Sequence, residues 1–208
     1  PTTFPRRYNS DFSYEANFIC HFLQSRARKQ KVRTQAPINA LVVEGVDREP
    51  ASVARWDHDC GLDGEARFER AVFDQLRGMD RLDYMAGMLA TGLEACERYQ
   101  PIQLEVFKGW LDELKASGYR NEWVAKKKLL RGTGLQGVLR ARYQPDAFRL
   151  NLELRRKGEL VLDERVLETP PDELHFHGEF DDVRVRDGRI VVTNKKGEPI
   201  FDCAPPPR

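Results

Sequence analysis

The hydrophobic pattern of residues 1–131 has mostly helical spacing. Apolar side chains recur every three or four positions over residues 10–28 and again, in three stripes, over residues 65–118. Residues 121–130 form a fourth, shorter segment of this kind, and residues 38–43 have the length and apolar content of a buried strand. The pattern therefore predicts four to five helices and one short strand in a mostly helical first part.

The spacing of apolar residues changes from about 3.6 to about 2 after Gly132. Alternating segments are separated by turns rich in glycine and proline, and such turns join neighbouring antiparallel strands. The pattern predicts an antiparallel β-meander of five to seven strands over residues 132–203. A loose, proline-rich tail is expected at residues 204–208.

Asp187-Gly188 is the strongest local signal in the chain, because both residue types accept the positive φ of a type I′ hairpin turn. The predicted fold class is α+β, with the helices first and the antiparallel meander last. The glycine-rich junction at residues 132–137 leaves two arrangements open. The helical part and the meander either share one core or form separate domains.

Composition indicates a folded protein in a reducing compartment. The chain has 208 residues, of which 40% are hydrophobic and 32% charged, as in globular proteins. It contains no apolar run long enough to cross a bilayer and no secretory signal, so no membrane association is expected. The four cysteines are far apart and form no CxxC pair, which favours free thiols and a cytoplasmic location.

Charge is segregated along the chain although the net charge is only +1. Residues 1–37 carry seven basic and two acidic side chains, whereas residues 38–64 carry two basic and six acidic ones. Residues 101–131 are basic again, with seven bases and four acids. Segregation of this kind steers association with a charged partner, but the balanced total is unlike that of a typical nucleic-acid-binding domain.

Two histidines suggest a metal site in the meander. Glu173, His175, His177 and Glu179 alternate with apolar residues, so a strand would place all four on one face. Two imidazoles and the carboxylate of Glu179 could bind a divalent transition metal and support a metal-dependent enzyme. The alternative is a polar, solvent-facing side of a strand that has no cofactor.

An acidic and aromatic segment lies at Trp56, Asp57, His58, Asp59 and Cys60. A histidine beside a thiol is the composition of a nucleophilic pair, but neighbours in sequence rarely point at each other. The preferred interpretation is a loop that contacts a protein partner through Trp56, Asp57, His58 and Asp59, or that caps the next helix.

Two basic segments, residues 26–33 and 126–131, could contact nucleic-acid phosphates. Aromatic residues are sparse in both, so stacking on single-stranded bases is not indicated. The candidate phosphate-binding residues are Arg26, Arg28, Lys29, Lys126, Lys127 and Lys128.

The sequence lacks the P-loop, dinucleotide-binding, nucleophile-elbow and zinc-protease motifs. Elimination therefore favours a non-enzymatic bacterial module that binds and occludes a protein partner, as an immunity protein neutralises a toxin or effector. No cofactor is predicted for this function. The acidic loop around Asp57 and Asp59, or the exposed, arginine-rich face of the meander, would be the contact surface.

Overall fold

A computed structural model describes residues 10–35, 38–57 and 61–207. Helices and strands alternate along the first part of the chain, and strands dominate the last part. Within these residues the chain forms five helices and ten strands, so the protein has a mixed α+β fold. The strands form three sheets. The chain divides into two compact units, Pro1–Tyr119 and Arg120–Arg208.

The described residues of the first unit form a small mixed sheet and four helices. Its elements are α1 (Ser10–Gln30), β1 (Ala40–Val46), β2 (Arg55–Asp57), β3 (Gly61–Arg67), α2 (Arg70–Phe73), α3 (Met79–Tyr99) and α4 (Leu104–Ala116). The strand order is β1-β3-β2, in which β1 is parallel and β2 antiparallel to the central β3. Helix α3 packs on β1 and β3, and α1 packs against α3 and α4.

Backbone approaches backbone where α3 crosses the small sheet. A Cβ atom on Gly64 of β3 would lie 2.0 Å from the carbonyl oxygen of Gly92 of α3. A Cβ atom on Gly92 would lie 2.4 Å from Cγ1 of Val43 of β1. Glycine at both positions therefore allows the helix to pack this closely on the strands.

The second unit consists of two antiparallel sheets and one helical turn. Its elements are β4 (Asn121–Leu130), β5 (Leu135–Tyr143), β6 (Phe148–Arg156), β7 (Glu159–Thr169), α5 (Glu173–Phe176), β8 (Asp182–Arg186), β9 (Arg189–Thr193) and β10 (Pro199–Cys203). Strands β4 to β7 form one sheet in sequence order, and β8 to β10 form the other.

Aromatic packing holds α5 and the following loop against the inner face of the four-stranded sheet. The Phe148 ring of β6 stacks on the rings of Phe176 and Phe180, with centroid separations of 3.9 and 5.6 Å. The buried hydroxyl of Tyr143 donates to the carbonyl oxygen of Pro171 at 2.8 Å. These contacts join the segment after β7 to the core of the unit.

The helix predicted at residues 121–130 is wrong, because these residues form β4. The strand pairs antiparallel with β5, and its register shifts between Val124 and Lys126. This irregularity interrupts the alternation of side chains, and three consecutive lysines then hide the period of 2. Among the described residues before β4, the part predicted to be mostly helical contains three strands instead of one. Strands β2 and β3 are not predicted, because residues 44–64 have no clear periodicity and the spacing from residue 65 onwards is helical.

The prediction of one C-terminal meander of five to seven strands is wrong in its extent. Four strands form the sheet β4–β7, and the C-terminal sheet β8–β10 has three. Helix α5 interrupts the strands at residues 173–176, where the alternation predicts a strand. Pro170 and Pro171 offer no N–H for a ladder, and the Asp172 side chain accepts a hydrogen bond from the Leu174 amide at 3.0 Å, which caps a helical turn.

The hairpin predicted at Asp187-Gly188 is confirmed. Both residues have positive φ, 50° and 77°, and Arg186 pairs with Arg189 across the turn. These angles are those that a type I′ turn requires, so the local sequence alone specifies this hairpin.

The C-terminal tail follows β10 without further helix or strand through residue 207, and residue 208 lies outside the described residues. Arg156 of β6 donates to the carbonyl oxygens of Pro206 and Pro207 at 2.9 and 2.6 Å. In the part of the chain that the structure describes, no helix has the length and hydropathy needed to span a membrane.

Candidate functional site

The histidines of the predicted metal site do not share a strand face, because α5 occupies residues 173–176. His175 lies in this helical turn, His177 follows it, and both are exposed, as is Glu179. His177 Nε2 lies 3.1 Å from the Nζ atom of Lys195. Among the described residues, no three His, Cys, Asp or Glu side chains are close enough to hold a metal ion. The geometry that motivated a metal site is therefore absent from this part of the chain.

Trp56 of the predicted partner-binding loop lies in β2, next to Leu62 of β3 in the register of the sheet. Leu62 is fully buried on the face that packs on α3, and Trp56 is half-buried on the same face. Asp57 pairs with Gly61, but its side chain lies outside the described part of the chain. His58, Asp59 and Cys60 also lie outside the described residues.

The basic segment of the first unit is partly neutralised. The Arg26 guanidinium forms an ion pair with Glu113 of α4, and it lies over the Phe22 ring at 5.1 Å from the centroid. Arg28 and Lys29 are exposed at the end of α1, where positive charge also stabilises the C-terminal end of the helix dipole.

Two of the three lysines in the basic segment of the second unit converge on one carboxylate. Nζ of Lys128 lies 2.8 Å from Asp182 of β8, and Nζ of Lys126 lies 3.9 Å from it. Lys127 points to the opposite face of β4, because it alternates with them along the strand. The carboxylate therefore offsets part of the charge that phosphate binding would need, and Lys127 is the one of the three lysines with no carboxylate partner among the described residues.

The face of the sheet β4–β7 that carries Lys127 is here called the outer face, because it lies opposite to the inner face that carries Phe148. It carries four rows of side chains in register. Paired residues of antiparallel strands project to the same side, so the pairing defines the rows. From β4 to β7 the rows are Glu122, Arg142, Arg149 and Glu168; Val124, Arg140, Asn151 and Arg165; Lys127, Val138, Glu153 and Asp163; and Leu129, Gln136, Arg155 and Leu160.

A buried carboxylate organises the centre of the outer face. Glu153 accepts hydrogen bonds from Arg140 and from Arg155, whose Nη2 lies 2.8 Å away. The hydrogen bonds from Arg140, followed by those from Arg155, hold the pKa of Glu153 below its usual range despite burial. Two guanidinium groups are thus fixed in position before any partner arrives.

Further ion pairs run along the rest of the outer face. Arg149 donates to Asp146 in the preceding turn at 2.9 Å and to Glu168 of β7 at 3.4 Å. Arg165 also pairs with Glu168. Towards the β4 edge of the same face, Nε of Arg142 lies 3.5 Å from Glu122. Ion pairs involving arginine therefore reach across all four strands in defined positions.

Three large apolar side chains are exposed on the same face. Leu129 is 73% exposed, Leu160 50% and Val124 47%. Lys127 lies between Val124 and Leu129 along β4, and it forms no hydrogen bond or ion pair with any residue that the structure describes. The β4 edge of the outer face thus combines exposed apolar surface with a positive charge that no described residue pairs.

The outer face is composed mainly of charged and apolar side chains. None of its sixteen side chains is a histidine, cysteine or serine, and its buried carboxylate is saturated by two arginines. Arginine is enriched in protein–protein interfaces relative to the rest of the surface, and the exposed apolar side chains add hydrophobic area to this face.

A second buried carboxylate lies in the first unit and has a structural role. Glu65 of β3 accepts from both terminal nitrogens of Arg48 at 2.7 and 2.6 Å and from the Ala51 amide at 2.9 Å, and Arg55 lies 3.1 Å away. The Arg48 hydrogen bonds are the largest cause that lowers the pKa of Glu65 to about 2. These contacts fasten the connection between β1 and β2 to the central strand.

The sequence pattern missed both buried carboxylates and the β4 side of the outer face. Alternation in β5 to β7 identifies an arginine-rich exposed face, whereas Val124, Lys127 and Leu129 fall in the segment whose spacing predicts a helix. The role of Glu65 has no sequence signal, since helical spacing is predicted from residue 65 onwards whereas this residue lies in β3.

Comparisons of the chain with protein-family models, with curated proteins and with solved structures give no match in any of the three. Function therefore has to be inferred from the geometry and chemistry of the chain's own residues.

Proposed function

We propose that the protein is a non-enzymatic binding module that recognises and occludes a protein partner through its outer face. The observation that carries this proposal is the exposure of Val124, Leu129 and Leu160 beside arginines that internal carboxylates already position. Apolar exposure provides the hydrophobic contribution to binding, and fixed guanidinium groups lose little conformational entropy when a partner binds.

The dimensions of the outer face suit this function. Four strands about 4.8 Å apart and four rows about 6.6 Å apart cover roughly 500 Å². A stable protein–protein interface buries about 800 Å² on each partner. The outer face therefore accounts for more than half of such an interface, and the turns that flank it would supply the rim.

The biological role that fits best is that of a bacterial immunity-type inhibitor, whose partner is a toxin or effector. An inhibitor of this kind needs a rigid, preorganised contact surface and no chemistry of its own. A cytoplasmic location is part of the proposal, and it is supported by the cysteines at 20, 96 and 203, none of which forms a disulfide.

Neither alternative gains a specific supporting contact among the described residues. The hypothesis of a metal-dependent enzyme at His175 and His177 is weakened, because α5 replaces the strand that would align the two imidazoles. The nucleic-acid hypothesis is weakened on β4, because Lys126 and Lys128 share the carboxylate of Asp182, which offsets part of the positive charge.

Affinity purification tests the proposal. The tagged full-length chain is incubated with lysate of the source organism, and we expect one protein to co-purify in stoichiometric amount. Leu129→Asp should abolish its recovery, because a carboxylate would replace exposed apolar surface at the contact. Leu174→Asp is the matched control, since Leu174 is 88% exposed in the same unit but lies in α5.

The proposal fails if no stoichiometric partner is recovered. It also fails if Leu129→Asp and Leu174→Asp retain the partner equally. Unfolding temperatures of both variants close to that of the wild type would confirm that the difference arises at the surface.

A further inference from the structure

Charge and exposed apolar surface coincide on one half of the outer face. The β4 and β5 columns carry Lys127, Arg140 and Arg142 against a single acid, Glu122. In the β6 and β7 columns the charges balance. They carry the bases Arg149, Arg155 and Arg165 and the acids Glu153, Asp163 and Glu168.

Lys127 is the one base of the outer face with no partner among the described residues. Its neighbour across the ladder on β5 is the buried Val138, and Val124 and Leu129 flank it along β4. An ammonium group in apolar surroundings attracts a carboxylate more strongly than one in open solvent, once a partner excludes water. We name Val124, Lys127 and Leu129 the β4 patch.

We infer that the partner binds the β4 patch through an acidic surface, with an Asp or Glu on Lys127 and apolar side chains on Val124 and Leu129. This inference rests on the proposed function and specifies the chemistry of the partner. The pairing supplies a countercharge to the one base of the outer face that has no partner among the described residues, and it covers two of the three exposed apolar residues of this face.

The distribution of charge disfavours the two other possible occupants of the β4 patch, which are a second copy of the chain and a nucleic acid. A second copy docked face to face about a two-fold axis would bring two surplus-positive halves together, or would offer Lys127 the carboxylate of Asp163, which already accepts a hydrogen bond from Asn151 at 2.7 Å. A nucleic acid would meet no aromatic side chain for stacking on the outer face, and the remaining five bases are already paired with carboxylates.

A displayed library of random twelve-residue peptides provides a probe with no assumed partner. The full-length chain is immobilised, and we expect selected peptides to combine Asp or Glu with large apolar residues. Lys127→Glu should weaken binding of the selected peptides about tenfold or more at physiological salt. Lys196→Glu is the control, because it makes the same change of charge at an exposed turn of the same unit.

Selected peptides that are basic, peptides insensitive to Lys127→Glu, or a failure to select any peptide would each overturn the inference. Tighter, Lys127-dependent binding of a DNA or RNA oligonucleotide would overturn it as well, as would concentration-dependent dimers that Lys127→Glu dissociates.

The Lys127→Glu variant, compared with Leu129→Asp, distinguishes a failure of this inference from a failure of the proposed function. If the chain recovers no partner from lysate, both fail. If Leu129→Asp loses the partner while Lys127→Glu retains it in full, the outer face binds a protein but the acidic partner surface is wrong.

Discussion

At the scale of single residues, the contact between α3 and the small sheet depends on glycines that carry no side chain. Gly92 lies against Val43, and Gly64 lies against the carbonyl oxygen of Gly92, at distances that no Cβ atom could tolerate. Gly87 lies on the same helix, and a Cβ atom added there would meet no heavy atom within 4 Å apart from its chain neighbours and the adjacent backbone of the helix. The two helix glycines therefore have opposite consequences for substitution.

Gly92→Ala should lower the free energy of unfolding by about 2–3 kcal/mol, since overpacking forces the helix and strands apart. Gly87→Ala should raise it by up to about 1 kcal/mol, because alanine has the higher helix propensity and meets no neighbour here. Urea titration followed by circular dichroism measures both. Equal stability of the two variants would contradict the close approach of α3 to β1 and β3.

At the scale of elements, buried carboxylates organise each unit. Glu153 positions two arginines of the outer face, and Glu65 ties the connection between β1 and β2 to β3 through Arg48, Arg55 and a backbone amide. Each carboxylate lies on an interior strand of its sheet, so one side chain determines the positions of several others.

The Glu65 contacts predict a specific pH dependence. The folded-state pKa of about 2 lies below the ordinary value of 4.5, so the stabilisation is fully present above about pH 5 and is lost as the pH falls towards 2. Glu65→Gln should therefore lower the free energy of unfolding by about 2–3 kcal/mol at pH 7, and the difference from wild type should shrink below pH 4.5.

Urea titrations of both proteins from about pH 2.5 to pH 7 check this expectation. Glu105→Gln, at an exposed position of α4, is the control and should remain close to wild type at pH 7. A stability difference for Glu65→Gln that is constant over this range would refute the role of the ionised carboxylate.

At the scale of the whole molecule, two compact units each have buried apolar residues of their own. In the second unit, the stacked rings of Phe148, Phe176 and Phe180 and the buried leucines of β6 come from within residues 120–208. The outer face also lies entirely in this unit, so the proposed binding function needs no residue from the first.

Residues 120–208 expressed alone should fold cooperatively and keep a dispersed amide spectrum. Phe148→Ala in the same fragment should abolish the transition, because losing a buried aromatic costs about 3–5 kcal/mol and a unit of this size has little stability to spare. Thermal unfolding by circular dichroism and a two-dimensional NMR spectrum measure both outcomes. A wild-type fragment without a cooperative transition would contradict the independence of the second unit.

Part of the site was predictable and part was not. The alternation of Arg149, Arg155 and their neighbours indicates an exposed arginine-rich face on the meander, and the structure contains such a face on β5 to β7. Lys127 and Leu129 could not be assigned to it. The register irregularity after Val124 and the run of lysines remove the alternation that would identify β4 as a strand.

The sequence by itself determined the features that depend on near neighbours. Helices α1, α3 and α4 lie where apolar spacing predicts them, and the turn at Asp187-Gly188 forms as predicted, because helix periodicity and turn dihedrals involve residues within about four positions. The tertiary structure decided the strand character of β4, the division of the strands into sheets and the rows of the outer face. Those depend on pairing between distant segments, where a one-residue shift moves every side chain to the other face.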